Sequence, residues 1–323
     1  MQLPRRRFLQ LMPGGAVAPL FPGLAFALDY PTRPIHLVVG FPPGLAPDII
    51  ARVVAQPLTQ RLGQNVVIDN RPGAGSNIAA DAVVHAPSDG YTLLYVTLGN
   101  AINASFYKHL DFDITKDIAP VAGTVRSPSV LVVSPSVPAQ TLPEFIAYAK
   151  TNPGKINFAS GGVGTAPHLA GELFNQMAGV KLVHVPYTSS YMPDLLAGRV
   201  EATFAPIATS IANVKAGKLR ALAVTASTRS DVLPNVPTVS EFVQGYEASV
   251  WHGVGAPRGT APDIIGKLNR QISAVIVDPA VKSRLDGLGA VPMPMTPGEF
   301  GKFVAAEVKK WANVVKLAGL KPE

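Results

Sequence analysis

Short apolar runs alternate along the chain with segments in which apolar residues recur every three or four positions. In the first third of the chain, apolar runs at 34–39, 66–69 and 91–96 have the length of buried strands. The segments 48–62 and 77–85, which follow the first two runs, have helical spacing instead. Strands that alternate with helices predict an α/β protein whose sheets are mainly parallel.

The same alternation continues towards the C-terminus. Further strands are predicted at 130–133, 156–159, 182–185, 202–204, 219–225 and 251–256, and further helices at 142–150, 169–177, 194–197, 211–216 and 297–318. A chain of 323 residues exceeds the usual size of one hydrophobic core. We therefore predict two lobes, with lobe one at 28–125 and 253–323 and lobe two at 126–252.

Three glycine-containing loops connect a predicted strand to a predicted helix. They read FPPGLAPD at 41–48, NRPGAG at 70–75 and SGGVGT at 160–165. Glycine lets backbone N–H groups approach a ligand closely, and the N-terminus of a helix attracts negative charge. In a parallel sheet such loops lie at the carboxyl edge, where ligands bind. The loops therefore predict a site that captures an anionic solute without a nucleophile, a general base or a metal.

The first 27 residues have the features of an export signal. Arg5, Arg6 and Arg7 precede a moderately apolar stretch that ends in a small-x-small cleavage site at Ala27. Prolines and glycines interrupt the stretch, so a membrane anchor, which needs about 20 predominantly apolar residues, is the weaker interpretation. We predict a twin-arginine signal peptide at 1–27 and a soluble protein in the periplasm.

The composition excludes several other classes of protein. The chain has no cysteine, which rules out lipid attachment, disulfides and thiol catalysis. Its formal net charge is +7, and three of its basic residues lie in the leader, so the remainder is only mildly basic. It has no lysine and arginine cluster with interleaved aromatics, so we expect no nucleic-acid partner. We also expect neither a cofactor nor a metal.

Six short motifs occur in order over most of the chain. They are FPPG at 41–44, NRPGAG at 70–75, DGYTLL at 89–94, HVPY at 184–187, AGKLRALA at 216–223 and LPNVPT at 233–238. Together they resemble the substrate-binding proteins of tripartite tricarboxylate transporters, the Bug-type family. The resemblance implies a two-lobed, class II-like periplasmic-binding-protein fold that holds a small organic carboxylate between the lobes. It also implies integral-membrane transporter subunits as partners. We expect a monomer without enzymatic activity.

In proteins of this family, the loops that correspond to 41–48 and 160–168 approach the ligand through backbone amides and ordered waters. The candidate ligand-binding residues are Phe41, Pro43, Gly44, Leu45, Asp48, Asn100, Ser160, Gly161, Gly162, Gly164, Thr165, His168, Tyr187 and Ala205. Some of them have a structural alternative, since His168 could brace its own helix and Tyr187 could pack in the core.

The chain departs from the family pattern at Leu45, Pro47 and Ala205. The family usually has glycine at the first position, a small hydroxyl residue at the second and aspartate at the third. Proline lacks an N–H group, so the first loop loses a donor. Ala205 supplies neither charge nor hydrogen-bond acceptor, which favours a ligand without an ammonium group and with an apolar or aromatic body.

Two other functions remain open at this stage. Ser160 and His168 with a distant aspartate would fit a periplasmic hydrolase, although such pairs arise by chance in a chain of this length. A liganded lobe closure could also be read by a membrane sensor kinase in place of a permease.

Overall fold

The computed structural model describes residues 30–187 and 190–320. From Pro31 onwards the chain forms one compact unit. The predicted signal peptide lies outside the described residues. The strands are β1 (Ile35–Val39), β2 (Val66–Asn70), β3 (Thr92–Thr97), β4 (Ile118–Ser127), β5 (Ser129–Val133), β6 (Asn157–Ser160), β7 (Val183–Pro186), β8 (Ala202–Pro206), β9 (Arg220–Val224), β10 (Val250–Pro257) and β11 (Val291–Pro292). The helices are α1 (Ala46–Leu62), α2 (Asn77–Val84), α3 (Leu98–Phe106), α4 (Leu142–Thr151), α5 (Ala166–Ala178), α6 (Met192–Leu196), α7 (Ile207–Lys215), α8 (Pro262–Ile276), α9 (Pro279–Gly287) and α10 (Pro297–Leu317).

The strands form two sheets of the same design. The six-stranded sheet has the order β2-β1-β3-β10-β4-β11, and the five-stranded sheet has the order β7-β6-β8-β5-β9. In each sheet the fourth strand, β10 or β5, is antiparallel to both of its neighbours. The first, second, third and fifth strands of each order therefore point the same way. The mainly parallel, two-lobed α/β fold predicted from the sequence is confirmed.

The antiparallel strands mark the places where the chain passes between the sheets. The chain leaves the first sheet after Ser127, enters the second at Ser129, and returns to the first at Val250. Two crossings between sheets are typical of proteins whose halves close about a hinge. The residues at which each lobe begins and ends stay a prediction.

The first strand and helix show how the sequence produces this packing. Four of the five β1 side chains are buried, and the buried residues of α1 recur at helical spacing against the sheet. Pro57 lies inside α1, where a proline usually kinks or breaks a helix. The helix does not break there, because its buried residues continue on both sides of the proline.

Candidate functional site

A cavity of about 410 Å³ lies between loops of the first sheet and a loop of the second. It is lined by Phe41, Pro47, Gly75, Thr97, Leu98, Gly99, Ile102, Asn103, Phe106, Tyr107, Val163, Gly164, Thr165, Ala166, Val250 and His252. Its volume falls within the range of about 300–1,000 Å³ found for small-molecule sites. Loops of both sheets, together with β10 of the first sheet, therefore line one ligand-sized cavity.

Helix N-termini surround this cavity. Pro47 belongs to the first turn of α1, Leu98 and Gly99 begin α3, and Ala166 begins α5. Gly75 lies two residues before α2 begins. The first N–H groups of a helix have no partner within it and carry partial positive charge, so they attract an anion. The lining contains no charged side chain.

Internal hydrogen bonds hold the loop between β6 and α5. The Gly162 N–H donates to Ser160 Oγ at 3.1 Å, and the Thr165 hydroxyl donates to the Gly162 carbonyl at 2.7 Å. The Gly164 N–H donates to His168 Nδ1 at 3.0 Å. Among the described residues, the N–H groups of Gly161, Val163 and Ala166 have no such partner. The loop is therefore held by hydrogen bonds among its own residues and with His168.

Two stacked histidines support the same loop. The rings of His168 and His184 lie 3.7 Å apart, and His184 Nε2 lies 2.6 Å from Ser160 Oγ. Burial lowers the pKa of His168 to about 3, with a contribution from His184, and burial lowers the pKa of His184 to about 4. Both rings are therefore neutral near pH 7, and the hydrogen bond from the Gly164 N–H requires the tautomer in which His168 Nδ1 carries no proton.

Asp48 holds the first loop, which joins β1 to α1. Its carboxylate is 2% exposed and accepts from the Gly44 N–H at 2.8 Å, from Arg52 at 3.0 Å and from Asn70 Nδ2 at 2.9 Å. Burial raises its pKa, but the hydrogen bonds from Arg52, Gly44 and Asn70 outweigh burial, so its pKa lies below the usual value. The carboxylate therefore positions the loop and is ionised near pH 7.

The structure brings only part of the predicted site to the cavity. Phe41, Gly164 and Thr165 line it. The rest of the first-loop candidates lie outside the lining: Pro43, Gly44 and Leu45 are exposed, and Asp48 is buried against Arg52. Gly161 and Gly162 lie in the loop between β6 and α5 but outside the lining, and Ser160 and His168 are buried at the two ends of that loop.

Asn100, Tyr187 and Ala205 lie outside the lining. Asn100 Oδ1 accepts from the Thr97 N–H at 2.9 Å and so caps α3. The Tyr187 hydroxyl donates to Asp194 at 2.9 Å. Ala205 has no exposed surface and pairs with Val130 in the second sheet. Ligand contact by these residues stays a prediction.

Sequence reasoning missed α3 and β10 as walls of the cavity. Asn103, Phe106 and Tyr107 come from α3 and its end, and His252 comes from β10. A Cβ atom added to Gly164 would lie 3.1 Å from the Phe106 ring, so the loop of the second sheet closely approaches α3. The available signal was Thr97-Leu98-Gly99-Asn100, a third strand end followed by glycine and a helix cap.

The described residues contain neither a cluster of possible metal ligands nor a helix able to span a membrane. No group of three histidine or acidic side chains within them could hold a metal ion. None of the helices in 30–187 and 190–320 has the length and apolar character required to span a bilayer.

The fold and the cavity define a two-lobed solute-binding protein. Residues 50–320 match the model of the tripartite tricarboxylate transporter family receptor, and the chain belongs to this family. It is 39% identical over 299 residues to Protein BugT of Bordetella pertussis, covering 90% of this chain and 91% of that protein.

Two solved structures support the same conclusion. Rpa4515 of R. palustris, solved with adipate, is 37% identical with a TM-score of 0.75, covering 91% of this chain and 100% of that one. MatC of Rhodopseudomonas palustris, solved with bound malate, is 31% identical with a TM-score of 0.71, covering 88% of this chain and 100% of that one.

Proposed function

We propose that this protein binds a small organic carboxylate in the cavity and delivers it to the membrane subunits of a tripartite tricarboxylate transporter. The observation that carries the proposal is the convergence of the N-termini of α1, α3 and α5 on a cavity without charged side chains. An anion gains from these partial positive charges, and the lining of the cavity contains no carboxylate that would repel it. Adipate in Rpa4515 and malate in MatC support the same ligand class.

Backbone donors hold the carboxylate in this proposal. Val163 and Ala166 line the cavity, and among the described residues their N–H groups have no partner within the loop that joins β6 to α5. The N–H group of Gly161, next to the lining, is likewise unused. Hydrogen bonds to an ionised carboxylate are stronger than neutral ones. A ligand held by both sheets would also favour the arrangement in which α3 and this loop are close.

Binding without catalysis is the proposed outcome. Ser160 has no exposed surface, and its hydroxyl bonds to the backbone of Gly162 and to His184, not to His168. A nucleophile must reach the substrate, so this serine is better suited to support the loop. The lobe boundaries given above and a monomeric state are part of the same proposal.

A carboxylate panel tests the proposed function. Adipate, malate, hexanoate and benzoate are added to the purified protein, and the melting temperature is measured. A ligand at 100 times its dissociation constant is expected to stabilise the fold by about 2.7 kcal/mol. The methyl esters are matched controls, because they keep the body and remove the charge. Equal shifts with acids and esters, or none with any acid, would contradict carboxylate capture.

Export through the twin-arginine route is the second part of the proposal. Replacing Arg5 and Arg6 with lysine is expected to leave unprocessed precursor in the cytoplasm, because that route requires the arginine pair. Replacing Arg7 with lysine is the control and should leave processing intact. Immunoblots of cytoplasmic and periplasmic fractions give the answer. Normal processing of the double variant would refute the twin-arginine route while leaving general secretion as the alternative.

A further inference from the structure

His252 lines the cavity and has a ring nitrogen without a hydrogen-bond partner among the described residues. It is 3% exposed, lies opposite Thr97 in the pairing of β10 with β3, and stacks on Tyr95 with ring centroids 5.3 Å apart. Its Nδ1 atom is buried and has no hydrogen-bond partner among the described residues. A buried polar group without a partner is costly, so a native structure rarely keeps one without a role.

The His252 ring is neutral, so it can both donate and accept a hydrogen bond. Burial lowers the pKa of His252 to about 4. A neutral imidazole has one donor and one acceptor nitrogen, so it can bind an uncharged group such as a hydroxyl in either direction. It offers no counter-charge to a second carboxylate.

Several other polar groups of the lining have hydrogen bonds within the protein. Asn103 donates from Nδ2 to the Gly75 carbonyl at 2.8 Å and to Asn77 Oδ1 at 2.9 Å, which uses both amide hydrogens. The hydroxyls of Thr97 and Thr165 donate to Asn100 Oδ1 and to the Gly162 carbonyl. His252 differs from these groups in that its buried Nδ1 has no protein partner among the described residues.

Much of the remaining lining is apolar. Phe41, Leu98, Ile102, Phe106 and Val163 contribute side chains to it. An ammonium group there would face helix N-termini without an acidic side chain in the lining, which is unfavourable. An apolar body gains from burial against the same side chains.

We propose that the cavity selects carboxylates whose body is apolar and carries one uncharged hydrogen-bonding group, and that His252 binds that group. This inference rests on the proposed function, since it takes the carboxylate to be held by the amides near α5. His252 is then the residue that distinguishes hydroxylated ligands from their plain analogues.

Calorimetric titration of matched acids tests the inference. The acids are hexanoate with its ω-hydroxy and ω-amino derivatives, and benzoate with para-hydroxybenzoate. The unmodified protein is expected to bind a hydroxylated acid about tenfold more tightly than the ω-amino acid. His252→Phe is expected to weaken binding of the hydroxylated acid by about tenfold, the size of one buried hydrogen bond, and to leave the plain acid unchanged.

Two further variants separate this role from a structural one. His252→Gln keeps a donor and an acceptor and should restore part of the discrimination, whereas Tyr95→Phe keeps the stacked ring and should change neither acid. Unchanged binding of the plain acid shows that His252→Phe folds. Equal effects of His252→Phe on both acids of each pair, or tighter binding of the ω-amino acid, would overturn the inference. If adipate or malate still binds in that case, the proposed function survives; if no acid binds, both fail.

Discussion

Replacing Gly99 with aspartate is expected to weaken carboxylate binding by about a hundredfold while leaving the fold intact. Gly99 lines the cavity in the first turn of α3, and a Cβ atom there would meet its nearest neighbours at 3.4 Å, an ordinary contact. An acidic residue is favourable in the first turn of a helix. The new carboxylate would, however, occupy the region to which the helix N-termini attract the ligand. Two charges about 5 Å apart at an effective dielectric constant of about 20 repel by about 3 kcal/mol.

Asparagine at the same position is the matched control, because it has the same shape without the charge. Titration calorimetry with the best acid of the panel is expected to show a small loss for Gly99→Asn and the large loss for Gly99→Asp. Thermal unfolding checks that both variants fold. Equal losses in the two variants would mean that the added side chain weakens binding by its size and not by its charge. Unchanged binding in both would mean that the carboxylate of the ligand does not lie near Gly99.

The sequence predicted the loops of this site better than its walls. Strand, glycine and helix signals are local, so the loops at 41–48 and 160–165 could be recognised from adjacent residues. Helix α3 was missed because Gly99, Asn100 and Asn103 have low helix propensity, and because its cap uses asparagine where glutamate or glutamine is the usual signal. Packing of Leu98, Ile102 and Phe106 forms the helix in spite of its composition.

The wall formed by β10 depends on contacts between residues distant in sequence. His252 reaches the cavity because β10 inserts between β3 and β4, which lie more than a hundred residues earlier. Strand β4 itself contains Pro120, a residue that argues against a strand interior. The contact of Ser160 with His184 likewise depends on the parallel pairing of β6 with β7. Local patterns carry no information on such pairings.

Acidification from pH 6.5 to about 4 is expected to lower the free energy of unfolding steeply, in part through His168. The side chain is 2% exposed, and burial lowers its pKa to about 3, below the usual value of 6.5. Below pH 6.5 the unfolded chain therefore binds a proton at His168 that the folded protein does not bind. The stabilising contribution is complete above pH 6.5 and falls by about 1.4 kcal/mol per pH unit until the folded pKa is reached.

His168→Asn isolates this contribution. Asparagine stays neutral and keeps an acceptor for the Gly164 N–H. Denaturant unfolding between pH 7 and 4 is expected to show a shallower loss for this variant, by about 1.4 kcal/mol per pH unit. Glu172, whose pKa burial raises, acts with the opposite sign but is present in both proteins. Parallel curves for the unmodified protein and His168→Asn would show that His168 is protonated in the folded state, and that the Gly164 N–H is held by some other acceptor.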